Sequence, residues 1–445
     1  MNRSIALAIC ASMVCAVPAT HAAEDLCRHR SAEILQNMQK GDYVAATTYF
    51  DAHIHAALDA QKLGQVWQQV LPQQLGAFDH AMAVQVKQSG ELFIAETPLH
   101  FANGWLVMRV TCGMDGQVGG LLFAPSQAPS IAAAATLTNA QGVTERALAV
   151  SSPFGPLPGT LTLPSGDGPF AAVLLIAGSG PHDRDETIGP NKPLRDLAQG
   201  LAVAGIASLR YDKRTYVYAA QSLGKAITVD DEVTDDALSA LRLLAEQAAI
   251  DPHRLFVLGH SLGALMAPRI GQRDPRIAGL ILLGAPARFN LDTVLRQIRY
   301  IGQQEGASTA VLDKQTAPVI AARDAMAHAD PAHPPAGQFF HAPASYWLSL
   351  RDYDAVDVSK ALSVPILVLQ GGGDYQVTPQ YDFVQWQAAF PHDSRVQLRE
   401  YPGLSHLFMP AGTPPSPADY ERPGQVDARV IHDIAGWIKA QPSHL

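Results

Sequence analysis

Short apolar runs alternate with amphipathic segments from about residue 142 to the C-terminus. Five of the apolar runs are predicted to be central parallel strands: Ala171–Ala177, Ile206–Arg210, Leu255–Leu258, Ile277–Leu283 and Ile366–Gln370. Val396–Glu400 is predicted to be a further central strand. The segments between them have helical period, most clearly Leu194–Ala204 and Asp231–Gln247. Two earlier runs, near Glu145–Ser151 and Gly159–Leu163, are expected to be antiparallel strands. This alternation predicts an α/β fold with a mostly parallel central sheet and helices on both faces.

The alternation is interrupted between Ala285 and Ala361, where roughly 75 residues separate two predicted strands. Asp292–Glu305 and Ser308–Ala327 have helical period, and Pro318 is expected to kink or split the second helix. We therefore predict a cap insertion, at about 286–361, which would limit substrate size and exclude water. Four aromatic side chains in the insertion could line a substrate pocket or belong to its core: Phe339, Phe340, Tyr346 and Trp347.

Residues 24–126 have a different pattern. Three segments of helical period come first: Asp25–Lys40, Tyr43–Phe50 and Ala57–Leu75. Four alternating segments follow: Ala81–Val86, Leu92–His100, Trp105–Cys112 and Gln117–Phe123. Asn103-Gly104 and Asp115-Gly116 are hairpin-turn signals between them. The pattern predicts a small α+β accessory domain, joined to the α/β domain at 142–445 by a linker at 127–141.

The first 23 residues have the pattern of a secretory signal peptide. Asn2-Arg3 supplies a positive end, and Ile5–Val17 is an apolar stretch that is short for a bilayer span. Small residues then offer a cleavage site after Ala22 or Ala23. An uncleaved membrane anchor is the alternative. A signal peptide predicts an exported protein, periplasmic or extracellular, with no stable membrane span after cleavage.

Two cysteines, Cys27 and Cys112, remain after such a cleavage. An even pair in an exported protein favours a disulfide, which would fasten the N-terminal helix to a strand. Two unrelated buried thiols are the alternative.

Composition narrows the function classes. The 445 residues are 47% hydrophobic, which is enough for cores in two domains, and their formal net charge is −9. An acidic chain argues against a nucleic-acid partner. The chain has no P-loop or dinucleotide fingerprint, and His53, His55 and His80 lack further ligands at metal spacing. We expect no cofactor and no metal, and the sequence leaves the oligomeric state open.

The pentapeptide Gly259-His260-Ser261-Leu262-Gly263 is the strongest chemical signal. It lies between a predicted strand and the small-residue stretch Ala264–Ala267. A sharp strand-to-helix turn of this kind, a nucleophile elbow, exposes a serine hydroxyl above the sheet. Its glycines avoid a clash where strand and helix nearly touch. Ser261 is therefore predicted to be a nucleophile.

A serine nucleophile needs a histidine that takes its proton and an acid that orients the histidine, in the chain order serine, acid, histidine. Asp374 follows the glycine-rich end of the strand at Ile366–Gln370, and His406 lies in the loop after Val396–Glu400. Alone, each could be an ordinary turn residue. Together with Ser261 they predict a catalytic triad.

An acyl-transfer site also needs N–H donors for the oxyanion. The N–H of Leu262, directly after the nucleophile, is one expected donor. The second is expected in the loop after Ala171–Ala177, where we choose Ser179, with Gly178 or Gly180 as the neighbouring alternatives.

Three motifs resemble those of bacterial carboxylesterases: the G-S-G-P-x-D-R-D-E loop at Gly178–Glu186, the strand end at Leu209–Arg214 and the G-H-S-L-G elbow. The region from about Gly142 onward is similar to α/β-hydrolases of the serine-aminopeptidase-like and carboxylesterase branch. Residues 24–126 resemble a small accessory domain of nuclear transport factor 2-like or cystatin-like type. Within the strand end, Asp212 is expected either to pair with Arg184 of the loop or to cap the segment that follows.

The resemblance implies a secreted serine hydrolase that cleaves a small-molecule carboxylic ester through an acyl-enzyme intermediate. Relatives of this kind also include peptidases and thioesterases, so amide and thioester hydrolysis remain alternatives. A non-catalytic binding module is a third possibility, against which the intact Ser261, Asp374 and His406 argue.

Overall fold

The computed structural model describes residues 19–82, 84–126, 137–218, 226–340 and 342–442. Its N-terminal part contains five antiparallel strands: β1 (Phe78–Ala81), β2 (Gln85–Ser89), β3 (Leu92–Phe101), β4 (Gly104–Cys112) and β5 (Val118–Ser126). They form a sheet in the order β1-β3-β4-β5, and β2 also pairs with β3. The single strand predicted at Ala81–Val86 is wrong, because β1 ends at Ala81 and β2 begins at Gln85, and each pairs separately with β3.

Five helices accompany this sheet: α1 (Ala19–Lys40), α2 (Tyr43–Ala46), α3 (Ala52–Ala57), α4 (Ala60–Gln65) and α5 (Leu71–Leu75), with a π-helical turn at Val66–Val70. The predicted helix at Tyr43–Phe50 is therefore cut short, and a new helix starts within the next segment. Side chains of Asp42, Asp51 and Asp59 accept N–H groups at the starts of α2, α3 and α4. Such caps favour new helix starts over one continuous helix.

Cys27 on α1 and Cys112 at the end of β4 are joined by a disulfide with an S–S distance of 2.10 Å. Both cysteines lie in the buried core of the N-terminal part. The bond connects the first helix to the sheet.

Among the described residues, the C-terminal part contains eleven strands: β6 (Leu137–Thr138), β7 (Thr144–Val150), β8 (Leu157–Leu163), β9 (Phe170–Ile176), β10 (Ala207–Tyr211), β11 (Ile250–His260), β12 (Ile277–Leu283), β13 (Gln338–Phe339), β14 (Ala342–Pro343), β15 (Ile366–Gly371) and β16 (Val396–Tyr401). Nine form one sheet in the order β16-β15-β12-β11-β9-β10-β8-β7-β6, and β13 and β14 form a hairpin. Pairing in this sheet already starts at Leu137. Residues 127–136 of the predicted linker and 1–18 of the predicted signal peptide lie outside the described residues.

The large sheet is parallel from β16 to β10, and β8, β7 and β6 are antiparallel. The predicted α/β fold class is confirmed. The chain runs from β9 to β10 on one side and then to β11 on the other side of β9. Loops that leave the carboxyl ends of β9 and β11 therefore diverge, and ligands of open α/β sheets bind in such a crevice.

The described residues of the C-terminal part form the helices α6 (Pro193–Val203), α7 (Arg214–Val217), α8 (Asp235–Ala245), α9 (Leu262–Arg273), α10 (Leu291–Gln304), α11 (Thr309–His328), α12 (Ala344–Arg351), α13 (Ala355–Lys360), α14 (Val384–Ala389) and α15 (Ala428–Ala440). Helices α8 and α9 pack on one face of the large sheet, and α6 and α15 pack on the other. Leu174 and Ile176 of β9 pack in the core that contains α8 and α9. Val173 and Leu175 pack in the core that contains α6 and α15. Within the described residues, no helix has the length and apolarity needed to cross a membrane.

The insertion between β12 and β15 contains helices α10 to α13, and α11 continues through Pro318 as one helix. The split that was expected there does not occur. Proline removes one hydrogen bond to the carbonyl of residue 314. Lys314 and Pro318 both lie on the exposed side of α11, where water can bind that carbonyl.

Candidate active site

Ser261 occupies the sharp turn between β11 and α9, with φ 53° and ψ −114°. A positive φ is unfavourable for a residue with a Cβ, so the surrounding structure must hold this turn. A Cβ on Gly259 would lie 2.2 Å from the carbonyl carbon of Gly263. A Cβ on Gly263 would lie 2.4 Å from the carbonyl oxygen of Ile176. Both positions therefore require glycine, and Ser261 lies on a turn with elbow geometry.

Asp374 and His406 form a hydrogen-bonded pair at the same edge of the sheet. Asp374 follows β15, His406 follows β16, and their side chains are 0% and 4% exposed. Asp374 Oδ2 lies 2.7 Å from His406 Nδ1. The other oxygen, Oδ1, accepts the N–H groups of Gln376 and Val377 at 2.8 and 2.9 Å. The carboxylate is thus fixed through both oxygens, and it orients the imidazole ring.

Backbone contacts bring the Ser261 turn against the His406 loop. The N–H of Ser261 donates to the carbonyl of Leu283 at 2.9 Å. A Cβ on Gly284, the next residue, would lie 3.0 Å from His406 Nδ1. Within the part of the chain that the structure describes, Ser261 Oγ and His406 Nε2 make no hydrogen bond. Contacts between a nucleophile and its base are often looser before substrate binds.

The loop after β9 lies against the elbow, because a Cβ on Gly178 would be 3.2 Å from Ser261 Cβ. The N–H of Gly178 donates to Glu186 Oε1 at 2.6 Å, and the N–H of Gly180 donates to Glu232 Oε1 at 3.3 Å. The two alternative oxyanion donors considered from the sequence are therefore occupied by carboxylates.

The N–H groups of Ser179 and Leu262 have no acceptor among the described residues. Leu262 begins α9, and the first N–H of a helix has no intrahelical acceptor. The carbonyls beside the Ser179 N–H are held by side chains: Lys213 Nζ donates to Gly178 at 2.8 Å, and His182 Nε2 lies 2.8 Å from the carbonyl of Ser179. Side-chain hydrogen bonds therefore hold the loop in place, and the N–H groups of Ser179 and Leu262 remain available to a ligand.

A second histidine–carboxylate pair, Glu186 and His260, had no predicted role and lies beside the first. Glu186 Oε1 is 2.9 Å from His260 Nδ1, and His260 Nε2 is 2.9 Å from the carbonyl oxygen of His406. Glu186 also has a positive φ, 53°. The sequence signals were the glutamate that closes the G-S-G-P-x-D-R-D-E loop and the imidazole before the elbow serine. Only the folded loop brings them together.

The charges of this second pair support each other. Burial raises the pKa of Glu186, but the charge and hydrogen bond of His260 oppose it, and the net shift is downward. Burial lowers the pKa of His260, but the charge and hydrogen bond of Glu186 oppose it, and the net shift is upward. Both shifts favour the ion pair.

Comparison with known proteins identifies the family. The family model described as serine aminopeptidase, S33, matches residues 192–410, and a model described as a protein of unknown function (DUF3887) matches residues 31–121. Esterase EstD from Thermotoga maritima is 33% identical over 409 residues, which are 91% of this chain and 93% of EstD. The chain belongs to the S33 family of α/β-hydrolases. It is a serine hydrolase of the esterase type.

Other similarities to this S33 hydrolase are weaker. Thiohydrolase apmlB from Arthrinium phaeospermum is 27% identical over 107 residues, 24% of this chain and 34% of that protein. The structure of Est1E from Butyrivibrio proteoclasticus has 16% identity and a TM-score of 0.41, over 66% of this chain and 96% of Est1E. A 2,6-dihydroxy-pseudo-oxynicotine hydrolase has 14% identity and a TM-score of 0.43, over 96% and 92% of the two chains.

Asp212 of the S33 hydrolase pairs with Arg184, which is one of the two expected arrangements. Arg184 donates from Nε and Nη2 to the two carboxylate oxygens, at 2.9 and 2.8 Å, and its backbone N–H donates to Oδ1 at 2.7 Å. Burial raises the pKa of Asp212, and the charge of Arg184 opposes this shift. The pair fastens the loop after β9 to the end of β10.

The four aromatic side chains of the insertion in the S33 hydrolase pack mainly in its core. Tyr346 and Trp347 are buried, and Trp347 stacks on Phe289 with ring centroids 6.0 Å apart. Trp347 Nε1 donates to the carbonyl of Phe339 at 2.6 Å. Phe339 and Phe340 are partly buried against the same core. Within the described residues, no group of three or more His, Cys, Asp or Glu side chains could hold a metal.

Proposed function

We propose that the protein is an exported carboxylesterase in which Ser261 is the nucleophile, His406 the general base and Asp374 the residue that orients His406. The observation that carries the proposal is the buried Asp374–His406 hydrogen bond beside the strained Ser261 turn. The similarity to Esterase EstD over 91% of the chain supports ester chemistry.

The proposed reaction starts when His406 Nε2 accepts the proton of Ser261 and the serine oxygen attacks the ester carbonyl. The Asp374 carboxylate holds Nδ1–H, which leaves Nε2 as the basic nitrogen. The tetrahedral intermediate collapses, the protonated His406 donates to the departing alcohol oxygen, and an acyl-enzyme on Ser261 results. A water molecule, deprotonated by His406, then attacks the acyl-enzyme and releases the acid.

The N–H groups of Ser179 and Leu262 are proposed to bind the oxyanion of both tetrahedral intermediates. Both lack an acceptor among the described residues, while their neighbours Gly178 and Gly180 are occupied. A preorganised donor of this kind contributes about 10²–10³-fold to kcat.

The proposed preference for esters over thioesters and amides can be tested with three substrates that carry the same acyl group in different linkages. Purified protein is assayed with a p-nitrophenyl ester, a thioester and a p-nitroanilide, and then with esters of increasing acyl length. We expect kcat/KM to be highest for the ester series. Higher turnover of the anilide or the thioester would replace the esterase proposal with a peptidase or thioesterase on the same residues.

The nucleophile can be tested with Ser261→Ala and a matched control, Ser239→Ala. Ser239 lies on α8, where its hydroxyl donates to the backbone carbonyl of Asp235 and accepts a hydrogen bond from Arg242. We expect ester hydrolysis to vanish in Ser261→Ala and to persist in the control, with similar circular dichroism for both. Activity that survives Ser261→Ala would mean that another residue is the nucleophile.

Export is proposed from the pattern of the first 23 residues, and the Cys27–Cys112 disulfide supports it because such bonds persist in oxidising compartments. The full chain is expressed in a Gram-negative host and recovered from cytoplasmic and periplasmic fractions. We expect a periplasmic form that begins at Ala23 or Glu24. A cytoplasmic protein of full mass would contradict the proposal.

A further inference from the structure

The ring of His260 makes hydrogen bonds through both nitrogens to oxygen atoms. Nε2 lies 2.9 Å from the backbone carbonyl of His406, and Nδ1 lies 2.9 Å from Glu186 Oε1. A carbonyl oxygen can only accept, so Nε2 must carry a hydrogen. The protonation of Nδ1 then decides the charge of the pair: either His260 is a cation beside an anionic Glu186, or both are neutral.

The surroundings favour the charged arrangement. Glu186 Oε1 already accepts the N–H of Gly178 at 2.6 Å, and a donated hydrogen bond stabilises a carboxylate. The side chains of Glu186 and His260 are 1% and 4% exposed, so each charge depends on its partner and not on bulk water. The pKa shifts of both groups have the matching directions.

We propose that His260 is a positioning residue that stays doubly protonated and, with Glu186, ties the oxyanion loop to the His406 loop around Ser261. This inference rests on the proposed function, in which Ser179, Ser261 and His406 act together.

Three hydrogen bonds carry the connection. The N–H of Gly178, one residue before Ser179, donates to Glu186; His260 donates to the same Glu186 oxygen; and His260 donates to the backbone of His406. His260 itself immediately precedes Ser261. One imidazolium thus connects the loops after β9, β11 and β16, each of which supplies a reacting group. A displacement of about 1 Å in such a group costs on the order of 10²-fold in rate.

The neighbouring charged and titratable groups have other partners. They come from the β9 and β10 loops, the helical turn at Asp230–Thr234 and the loops after β15 and β16: His182, Lys213, Glu232, Asp374 and His406. His182 contacts the carbonyl of Ser179, and Lys213 bonds to Gly178 and Glu232. Asp374 is bound to His406 and lies close enough to favour the charge on His260. Within the described residues, Glu186 is therefore the direct anionic partner of His260.

The test is the protonation state of His260 in the full-length protein labelled with ¹⁵N-histidine. We expect wild type to show protons on both His260 nitrogens from pH 6 to 8, with Glu186→Gln showing only one at pH 8. The matched control is Asp185→Asn, which removes the adjacent carboxylate; the side chain of Asp185 accepts hydrogen bonds from Arg210 and Lys192 and, within the described residues, makes none with His260. Asp185→Asn should leave the His260 signals unchanged.

Kinetics add a second readout. In Glu186→Gln we expect kcat to fall about tenfold to 100-fold with KM within about twofold, because ground-state binding is not the interaction lost. A His260 that carries one proton in wild type at pH 7, or a Glu186→Gln enzyme with wild-type kcat, would overturn the proposal. The wild-type spectrum needs no variant, so a poorly folding variant leaves the test intact. Labelling of wild-type Ser261 by a fluorophosphonate in the same samples reports on the proposed function separately.

Discussion

Two histidine–carboxylate pairs lie side by side at the carboxyl edge of the catalytic sheet, and the second nitrogen of each ring has different surroundings. The rings of His406 and His260 are 4.5 Å apart, and each Nδ1 contacts a buried carboxylate, at 2.7 and 2.9 Å. Nε2 of His260 is bonded to a backbone carbonyl, whereas Nε2 of His406 has no hydrogen-bond partner among the described residues.

The difference shows how one constellation can serve chemistry or structure. A carboxylate on Nδ1 orients the imidazole ring in both pairs. Proton transfer also requires an Nε2 that can reach the substrate or nucleophile. The hydrogen bond between His260 Nε2 and the backbone carbonyl of His406 removes that capacity from His260. The charge of His260 instead stabilises the positions of the loops. His406 keeps the capacity, which suits it to the proposed role of base.

The largest expected effect separates the two histidines directly. In His406→Gln, kcat should fall about 10⁴-fold or more, since the proposed base is lost. The loss of stability should be smaller than in His260→Gln, because Asp374 keeps the N–H groups of Gln376 and Val377 as donors. In His260→Gln, stability should fall by about 3–5 kcal/mol because Glu186 is left as an unpaired buried charge. Ester kinetics and urea unfolding of both variants measure this. If both variants lost kcat by the same factor and neither lost stability, the two histidines would not have different roles.

The sequence predicts the positions of the first pair better than those of the second. Asp374 follows a strand with a clear apolar run, and His406 follows a strand in which apolar and polar residues alternate, so their place at the sheet edge follows from periodicity alone. Glu186 lies in an irregular loop, and its contact with His260 depends on a positive φ and on the distance between two loops. Neither quantity is encoded in local periodicity.

The small domain and the insertion between β12 and β15 show the same limit of prediction from sequence periodicity. In the small domain, strands β3 and β4 agree closely with their alternating patterns. The helices of this domain, by contrast, are divided at Asp51 and Asp59, whose side chains cap new helices. Asp and Asn caps before apolar residues were a readable signal there. Helix α11 passes through Pro318 because the residues that lose a hydrogen bond lie on its exposed face, which depends on packing.

A double variant gives the next largest effect. Replacing both Glu186 and His260 with glutamine removes the buried charge that His260→Gln alone leaves behind. The double variant should therefore be about 1–3 kcal/mol more stable than His260→Gln, by urea unfolding. Strictly additive losses would mean that the two side chains do not interact as an ion pair.

The pH dependence of stability shows whether Glu186 and His260 form an ion pair. The raised pKa of His260 means that its contribution is fully present below its ordinary value of 6.5 and is lost as pH rises through the folded value. The lowered pKa of Glu186 means that its contribution is present above 4.5 and is lost as pH falls through the folded value. The stability difference between wild type and Glu186→Gln, measured by urea unfolding from pH 4 to 9, should therefore be largest between these limits. A difference that grows steadily up to pH 9 would contradict the ion pair.

The smallest effect is expected for an exposed ion pair in the small domain. Glu96 contacts Lys87 and Arg109, whose side chains are 66% and 41% exposed. Glu96→Gln should cost less than about 1 kcal/mol, because water screens such pairs, and should leave kcat unchanged. Thermal unfolding measures the change in stability, and ester assays measure kcat. A loss as large as that of His260→Gln would show that burial is not what separates these pairs.

The rate of fluorophosphonate labelling at Ser261 measures the activation of the nucleophile without depending on the choice of substrate. Peptide mass spectrometry locates the adduct in wild type, Ser261→Ala, His406→Gln and Glu186→Gln. We expect one adduct on Ser261 in wild type, none in Ser261→Ala, almost none in His406→Gln and slower labelling in Glu186→Gln. Labelling of His406→Gln at the wild-type rate, or an adduct on another residue in wild type, would contradict the proposed roles of Ser261 and His406.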